Sequence, residues 1–350
     1  MKNNEITLKK KSKKLKIILS ILLSVLLFIS FLFYLFSPQD YYIERPGSTM
    51  SLSEMIQVEG KEAQEEGDFY LTSVTIMPAN NFLLWLSKGD DFSEEIPKED
   101  LMGDFSNEQY SQVNQYYMET AQNIAIYQAF KLAGIDYEMS YSGVYVMQVD
   151  KNSSFKDDLE IADTVTKVDG KSFKSSNDLI DYVASQKLGA KAEIDVTRID
   201  GSEHHFVGKY ITLSNGKVGI GIGLTDHTTV KTDIEVEINS GSIGGPSAGA
   251  MFTLEIYEQL TGENLVKGRN IAGTGTIEED GTIGQIGGVD KKVVSASENG
   301  AEIFLCPDSG SDKLEENNYL KALETAKKIK TEMKIIPIKT IQEALNYLKK

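Results

Sequence analysis

The sequence predicts a multidomain protein of mixed α+β/α/β class with one transmembrane helix at its N-terminus. Three observations support this. Residues 17–36 contain no charge, glycine or proline. The rest of the chain alternates between segments with the residue patterns of strands and of helices. Its last third holds a Gly-rich stretch whose serine leads into a helical run. The length of 350 residues leaves room for about two domains after the helix, at roughly 100–200 residues per domain.

The net charge excludes one class of function. The chain has 36 Lys and Arg residues against 52 Asp and Glu residues, which gives a net charge of −16. An acidic surface repels phosphate backbones, so nucleic acid is excluded as the main partner. The single cysteine, Cys306, excludes an internal disulfide and a Cys₄ or Cys₂His₂ zinc site. We expect neither a metal nor another cofactor.

The apolar run at residues 17–36 fits a membrane anchor. Twenty helical residues span roughly 30 Å, the thickness of the hydrocarbon layer of a bilayer. A cleaved secretory signal is the alternative, but its apolar core usually has only about 7–15 residues before a small-residue cleavage site. This run is longer and ends in bulky side chains, and seven lysines precede it. Because lysine-rich flanks stay in the cytoplasm, we interpret residues 1–36 as a cytoplasmic tail and a single-pass cell-membrane anchor, with the rest extracellular.

Residues 37–137 form a predicted N-terminal α/β region. Residues 69–77 are rich in β-branched and aromatic side chains, as strands are. Residues 107–133 lack glycine and proline and carry apolar side chains at helical spacing, and Gly134 follows as a helix C-cap. No motif for chemistry occurs here, so we expect this region to act as a scaffold.

Residues 138–213 form a compact unit of strands with one short helix. The turn pairs Asp169-Gly170 and Asp200-Gly201 separate its predicted strands. The phrase GVYVMQV, followed by DTVTKVDGKSF and DLIDYV, resembles a bacterial PDZ domain, although Ala162 stands where relatives usually have glycine. PDZ domains bind extended peptides by strand addition. The resemblance implies that four residues present the backbone amides that receive the peptide: Ser142, Gly143, Val144 and Tyr145.

A possible nucleophile lies at the Gly-rich junction of residues 240–249. A strand pattern at 234–238 precedes the junction, and a helical run that ends at Gly262 follows it. No bulky neighbour covers the hydroxyl of Ser247, and the first amides of a helix can bind a developing oxyanion. The same pattern also fits a helix that merely begins with Ser247 as its N-cap.

A nucleophilic serine needs a base, and the chain has three histidines. His204 and His205 fall on the solvated edge of a predicted hairpin. His227 falls in a loop that no pattern orients, and we expect it at the surface. Shortly before it, residues 219–223 lack the third glycine of a dinucleotide fingerprint and are interpreted as a linker strand.

Two adjacent lysines are the other possible bases. The segment after Gly288 predicts a helix whose buried face consists of Val289, Val293 and Ala296, at about 100° per residue. Lys292 borders that face, where loss of water would favour the neutral amine that a base requires. Lys291 lies on the opposite side of the helix, and we expect it in water.

At this point the residues resemble a known family. The ordered elements are Gly245-Pro246-Ser247-Ala248-Gly249, Thr274-Gly275, Gly281 and Gly287-Gly288-Val289-Asp290-Lys291-Lys292. They resemble the proteolytic domain of Lon proteases over residues 214–350. With the anchor and the PDZ-like unit, the chain is similar to the membrane-anchored, PDZ-containing Lon-like (S16-type) serine proteases of Gram-positive bacteria.

The resemblance implies a mechanism. Ser247 would be the nucleophile, Lys292 its base, and Thr274 the residue that orients the lysine. Three positions depart from the family: Gly244 replaces a frequent acid, and Glu235 and Glu237 stand where ATP-dependent relatives often have histidines.

The expected function is an ATP-independent extracellular serine endopeptidase. The chain contains no G-x-x-x-x-G-K-[ST] segment, so no phosphate-binding loop for ATP is expected. Substrates should then be peptides or flexible segments, and the resemblance favours the maturation of secreted peptide signals such as pheromones. One alternative is a PDZ peptide-binding scaffold whose Lon-like domain does not catalyse. The other is a Ser-His-Asp protease, which the helix after Ser247 disfavours.

Overall fold

The computed structural model describes residues 2–64, 66–103 and 105–350. Its elements, in chain order, are α1 (Lys2–Leu35), β1 (Pro38–Ser51), β2 (Ile56–Val58), β3 (Asp68–Asn80), α2 (Asn81–Ser87), β4 (Glu94–Pro97), α3 (Lys98–Met102), α4 (Asn107–Ala133), β5 (Tyr137–Val149), β6 (Thr164–Val168), α5 (Ser176–Ala184), β7 (Lys191–Thr197), β8 (Glu203–Lys209), β9 (Ile211–Thr212), β10 (Val218–Gly219), β11 (Ile222–Thr232), β12 (Val236–Ile238), α6 (Gly249–Thr261), β13 (Asn270–Gly273), α7 (Val289–Glu298), β14 (Ile303–Pro307), α8 (Asn318–Ile329), β15 (Lys334–Ile338) and α9 (Ile341–Lys349).

The chain divides into two compact units, and the first contains α1. This unit comprises Met1–Arg45 and Thr75–Gly103. The segment Lys13–Leu35 of α1 is long and apolar enough to cross a membrane, with a mean hydropathy of 2.8, and none of its most apolar part is buried. The start of β1 pairs antiparallel with β4, with Tyr41 opposite Pro97. Asn80 caps α2 by accepting a hydrogen bond from the Leu83 amide.

The second unit comprises Pro46–Val74 and Asp104–Lys350. In this unit β3, β13, β14 and β15 pair parallel to one another, and these four strands of a six-stranded sheet are here called the parallel sheet. β3 pairs with β13 from Asp68 to Leu71, so a strand from the predicted N-terminal region stands beside the last third of the chain. The sequence did not predict this connection. Helix α6 belongs to the large apolar core of this unit, and all of its residues except Thr261 are buried.

The other large sheet of the second unit, here called the antiparallel sheet, has the strand order β11-β5-β6-β7-β8. Its core contains Val144, Val165 and Ile194, together with Leu179 of α5. β11 pairs with β5 along its whole length, from Ile222 opposite Val149 to Thr232 opposite Tyr137. Residues 219–223 are therefore not a simple linker, because they turn at Ile220 and Gly221 and lead into the edge strand of this sheet.

Helix α4 contacts both sheets. A capping box between Ser106 and Gln109 begins it, and Gly134 ends it in the left-handed conformation with φ 68°. The predicted helix over residues 107–133 is therefore confirmed. Its Ala129 belongs to the core around α6, while its Thr120 hydroxyl donates a 3.0 Å hydrogen bond to the Asp226 carbonyl of β11.

Candidate active site

The backbone around Ser247 is held from several sides. Ser247 lies just before α6, after a turn in which Gly245 has φ 89°. The Gly245 amide donates to the Asn114 carbonyl of α4 over 2.7 Å. The Ser247 carbonyl accepts two hydrogen bonds, from the Gly275 amide at 2.8 Å and from the Thr274 hydroxyl at 3.0 Å. The segment that follows β13 therefore fixes the position of Ser247.

The helix after Ser247 begins in close contact with its neighbour. A Cβ atom on Gly249 would lie 2.5 Å from the Ile277 Cγ2 atom, so only glycine fits here without a shift. The Gly249 amide donates to the Pro246 carbonyl and the Ala250 amide to the Gly275 carbonyl. These first helical amides were predicted to bind an oxyanion, and the structure corrects this, because both already have acceptors.

Lys292 extends from α7 to Ser247. Gly288 begins this helix in the left-handed conformation, and the buried Val289, Val293 and Ala296 join a core cluster with α8. Lys292 is 3% exposed. Its Nζ atom donates to the Ser247 Oγ atom over 2.7 Å.

Thr274 completes a three-residue contact. The Lys292 Nζ atom also donates to the Thr274 Oγ1 atom, over 3.0 Å, and Thr274 is fully buried. The threonine hydroxyl thus accepts from the lysine while it donates to the Ser247 carbonyl. The structure brings together all three side chains that the sequence predicted for this site.

The prediction for Lys291 was wrong. Lys291 is 2% exposed, and its Nζ atom lies 3.5 Å from the Asp290 Oδ2 atom. The prediction assumed a helix with one buried face. Val294 and Ser295 are buried as well, so α7 is enclosed on most of its circumference.

The three histidines lie in strands of the antiparallel sheet, and each has a nearby partner. His204 Nε2 lies 3.0 Å from Ser202 Oγ, and His205 Nδ1 lies 2.7 Å from Asp195 Oδ1. His227 does not lie in a surface loop, as predicted, but in β11. Its ring stacks on Tyr145 with centroids 4.0 Å apart, and its Nδ1 atom lies 2.9 Å from Thr164 Oγ1. Burial lowers the pKa of His227.

The residues predicted to receive a peptide lie inside the antiparallel sheet. Val144 faces Asp226 of β11 on one side and Val165 of β6 on the other, and Tyr145 likewise has a partner in each strand. Gly143 stands opposite His227. The prediction needs correction at Val144 and Tyr145, because a residue with a strand neighbour on both sides cannot pair with a third strand.

This sheet has two edge strands, β8 and β11. Side chains of α4 donate hydrogen bonds to the Asp226 and Thr228 carbonyls of β11, and Leu224 lies before this covered part. The Val146 amide and carbonyl both bond to the segment before β6, at Asp163 and Ala162. In an antiparallel pair, two directly opposite residues either exchange both of their backbone hydrogen bonds or exchange none. When one residue bonds to a strand on its other side, the residue opposite it therefore directs its own amide and carbonyl away from that residue. Leu224 stands opposite Val146, so its backbone groups point outward from β5. Nearby, the Ser176 amide at the start of α5 donates to Asp226 Oδ1 over 2.8 Å.

A cavity of about 510 Å³ lies where α4 meets the antiparallel sheet. Its lining includes Tyr116 and Glu119 of α4, Tyr145 and His227 of the sheet, and Arg198, which follows β7. The Tyr145 hydroxyl donates to Glu119 Oε1 over 3.3 Å, and burial is the main factor that raises the pKa of Tyr145. The sequence did not predict this cavity, since its two walls are far apart along the chain.

Comparisons with known protein families match two consecutive segments of the chain. Residues 132–207 match the PDZ domain family, and residues 213–349 match the C-terminal proteolytic domain of Lon protease (S16). β11, which completes the antiparallel sheet, falls within the second match.

Several similar proteins are named Lon protease. That of Neorickettsia sennetsu is 30% identical over 127 residues, which are 36% of this chain and 14% of the relative. That of Buchnera aphidicola is 34% identical over 35% of this chain and 15% of the relative. That of Malacoplasma penetrans is 28% identical over 50% of this chain and 21% of the relative. The chain thus spans only a small part of the length of these relatives.

Among solved structures, the PDZ domain of the SdrC-like protein from Listeria monocytogenes is 36% identical to this chain. The matched region covers 24% of this chain and 90% of the Listeria chain, with a TM-score of 0.23. The two family matches lie at residues 132–207 and 213–349, in that order. The chain therefore contains a PDZ domain followed by the C-terminal proteolytic domain of the Lon (S16) protease family.

Proposed function

We propose that the protein is a membrane-anchored, ATP-independent serine endopeptidase with a Ser247–Lys292 dyad. The observation that carries this proposal is the 2.7 Å contact between Lys292 Nζ and Ser247 Oγ. Lysine is a base only when neutral, and burial disfavours its charged form. Lys292 is almost fully buried and has the Thr274 hydroxyl beside it.

The proposed reaction begins when the neutral Lys292 amine takes the proton of the Ser247 hydroxyl. The serine oxygen attacks the substrate carbonyl and forms a tetrahedral intermediate. Lys292 then gives the proton to the leaving amine, the peptide C–N bond breaks, and an acyl-enzyme remains. Water attacks this ester, again with Lys292 as base, which releases the carboxylate product and restores Ser247. In this mechanism Thr274 is a positioning residue.

The oxyanion needs a donor other than the first helical amides. The Ser247 amide is suited to this role, since the hydrogen bonds of the part of the chain that the structure describes provide no acceptor for it. Its direction is constrained by the turn at Gly245 and by the two bonds to the Ser247 carbonyl. An amide held in this way needs little rearrangement when charge develops on the substrate.

We assign peptide capture to the open edge of β11 at Leu224. Strand addition requires outward backbone groups and a neighbouring surface for side chains. Leu224 supplies the first, and α5, which contacts β11 through Ser176 and Asp226, supplies the second. A captured peptide would then be delivered to Ser247 within the same unit of the chain.

The proposed location and substrates are based on the apolar part of α1 and on residues 1–350, which contain no G-x-x-x-x-G-K-[ST] segment. α1 would anchor the chain with its lysine-rich end in the cytoplasm, so the active site would face the outside. In the proposed ATP-independent enzyme, no nucleotide hydrolysis would drive the unfolding of stable proteins. Its substrates would be secreted peptides or flexible segments, and peptide signals of the pheromone type belong to this class.

The test uses the full chain in lipid nanodiscs and an internally quenched peptide. Cleavage without added nucleotide is expected, and Ser247→Ala should abolish it. Ser242→Ala is the matched control, because this exposed serine lies in the same Gly-rich stretch. Cleavage by Ser247→Ala at the wild-type rate would refute the assignment, as would a strict requirement for ATP.

A further inference from the structure

The short helix α2 exposes an unusual amount of apolar surface. Trp85 is 68% exposed and Leu86 is 54% exposed. The opposite side of the helix faces its own unit, where the buried Ser87 donates a 2.8 Å hydrogen bond to Glu95 Oε1 of β4. Water is a poor environment for a side chain as large as tryptophan, so this face is suited to a partner.

Hydrogen bonds tie the start of α2 to the end of α1. Asn81 Nδ2 donates to the Tyr34 carbonyl over 2.8 Å and lies 3.0 Å from Ser37 Oγ. An aromatic row continues this connection, because the Phe82 ring lies 5.9 Å from Phe36 and 6.3 Å from Trp85. The exposed face of α2 is therefore held at the level where the apolar part of α1 ends, at Leu35.

We propose that Trp85 and Leu86 lie in the interfacial layer of the membrane that α1 crosses. This inference rests on the proposed anchor. Tryptophan and tyrosine favour the boundary between headgroups and acyl chains, and amphipathic helices lie in that layer with their apolar face towards the chains. Lys88, exposed at the end of α2, can reach the headgroups. The site would thus be a second, peripheral contact with the bilayer beside the spanning helix.

Tryptophan fluorescence can test this proposal without a label. Trp85 is the only tryptophan of the chain, so its fluorescence reports on this helix without a label. The full chain is reconstituted into phosphatidylcholine vesicles in which some acyl chains carry bromine, either near the glycerol level or near the chain ends. We expect blue-shifted emission and a stronger loss of intensity with the bromines near the glycerol level.

A matched control places the reporter deeper. In the double variant Trp85→Phe, Leu26→Trp, the only tryptophan stands in the middle of the apolar part of α1. Its emission should be quenched most by the bromines near the chain ends. Vesicle flotation of both proteins tests the anchor separately.

The outcomes distinguish the two proposals. Protein that does not float with the vesicles overturns the anchor and this inference with it. Protein that floats, but whose Trp85 emission is insensitive to both bromolipids, overturns only the inference. In that case quenching by aqueous iodide would place Trp85 in water, and shielding from iodide would place it against a protein partner.

Discussion

The two sheets of the second unit differ in how they prepare a site. Beside the parallel sheet, side chains of the proposed catalytic site are enclosed: Thr274 is fully buried and Lys292 is 3% exposed. In the antiparallel sheet, the proposed site is an open strand edge at Leu224, where only backbone groups are offered. Chemistry on a serine requires a base that is held in place and kept from water, whereas capture of varied peptides requires an accessible backbone.

The two sheets also share a feature. Each contains a strand from outside the segment that matches its family. β3 joins the parallel sheet from residues 68–80, and β11 joins the antiparallel sheet from the segment that matches the proteolytic domain. α4 contacts both, through Ala129 and Thr120. The two sheets therefore belong to one compact unit. A deletion of residues 138–213 would remove β5, the partner strand of β11. Point substitutions therefore test the difference between the two sheets better than such a deletion does.

The largest expected effect separates the two buried lysines. Lys292→Met should lower kcat/KM by at least about 1,000-fold, because the serine loses its base. Lys291→Met should leave kcat/KM of the folded enzyme unchanged, but lower the free energy of unfolding by about 1–3 kcal/mol, because Asp290 loses an ion-pair partner. Peptide cleavage and urea unfolding of both variants check this. An active Lys292→Met enzyme would contradict the account.

The next effect concerns the fit of α6 against Ile277. Gly249→Ala should lower kcat/KM by about 100-fold, because the added methyl group forces a shift beside Ser247. The second substitution Ile277→Ala removes the methyl group in the way and should restore part of the activity. If the single variant had wild-type kinetics, the enclosed site would tolerate displacement, and the contrast between the two sheets would weaken.

A smaller effect should appear at the open edge. Leu224→Pro removes an outward amide without loss of a hydrogen bond to β5. We expect KM for a long peptide to rise about tenfold, and that for a minimal peptide to stay unchanged. Leu224→Val, which keeps the amide, is the control. Equal changes with both peptides would indicate that β11 acts only in folding.

The last prediction concerns the stability of the fold, not activity, and a carboxyl group buried in α6. Burial raises the pKa of Glu255 from 4.5 to about 8. Its folded pKa is thus above its unfolded value, so the carboxyl group stabilises the fold most below pH 4.5, and this contribution is lost as the pH rises towards 8. Relative to wild type, Glu255→Gln should gain thermal stability at pH 8 and none at pH 4. A melting-temperature difference independent of pH would contradict this.

The sequence predicted the contact among Ser247, Thr274 and Lys292 better than the strand pairing of the antiparallel sheet, for a physical reason. Ser247, Thr274 and Lys292 belong to short local patterns whose glycines and helix starts already determine much of their geometry. The neighbours of β5 depend on which distant strand pairs with it, and no local pattern contains that information. The signal for β11 was present, however: Ile220, Ile222 and Leu224 alternate with glycines as in a strand with one buried face. Lys291 was misplaced because the periodicity of one helix does not show how many faces other helices cover.

The most direct test of the central claim is the rate at which a serine-reactive phosphonate probe labels Ser247, measured against pH. In the wild type we expect the label on Ser247 and a rate that rises with pH, with a midpoint below about 10.4, the value for a free lysine. Lys292→Met should lose this reaction by at least about 100-fold, and His227→Ala should retain it. A label on another serine, or a rate that rises near pH 6–7 and depends on His227, would contradict the Ser247–Lys292 dyad.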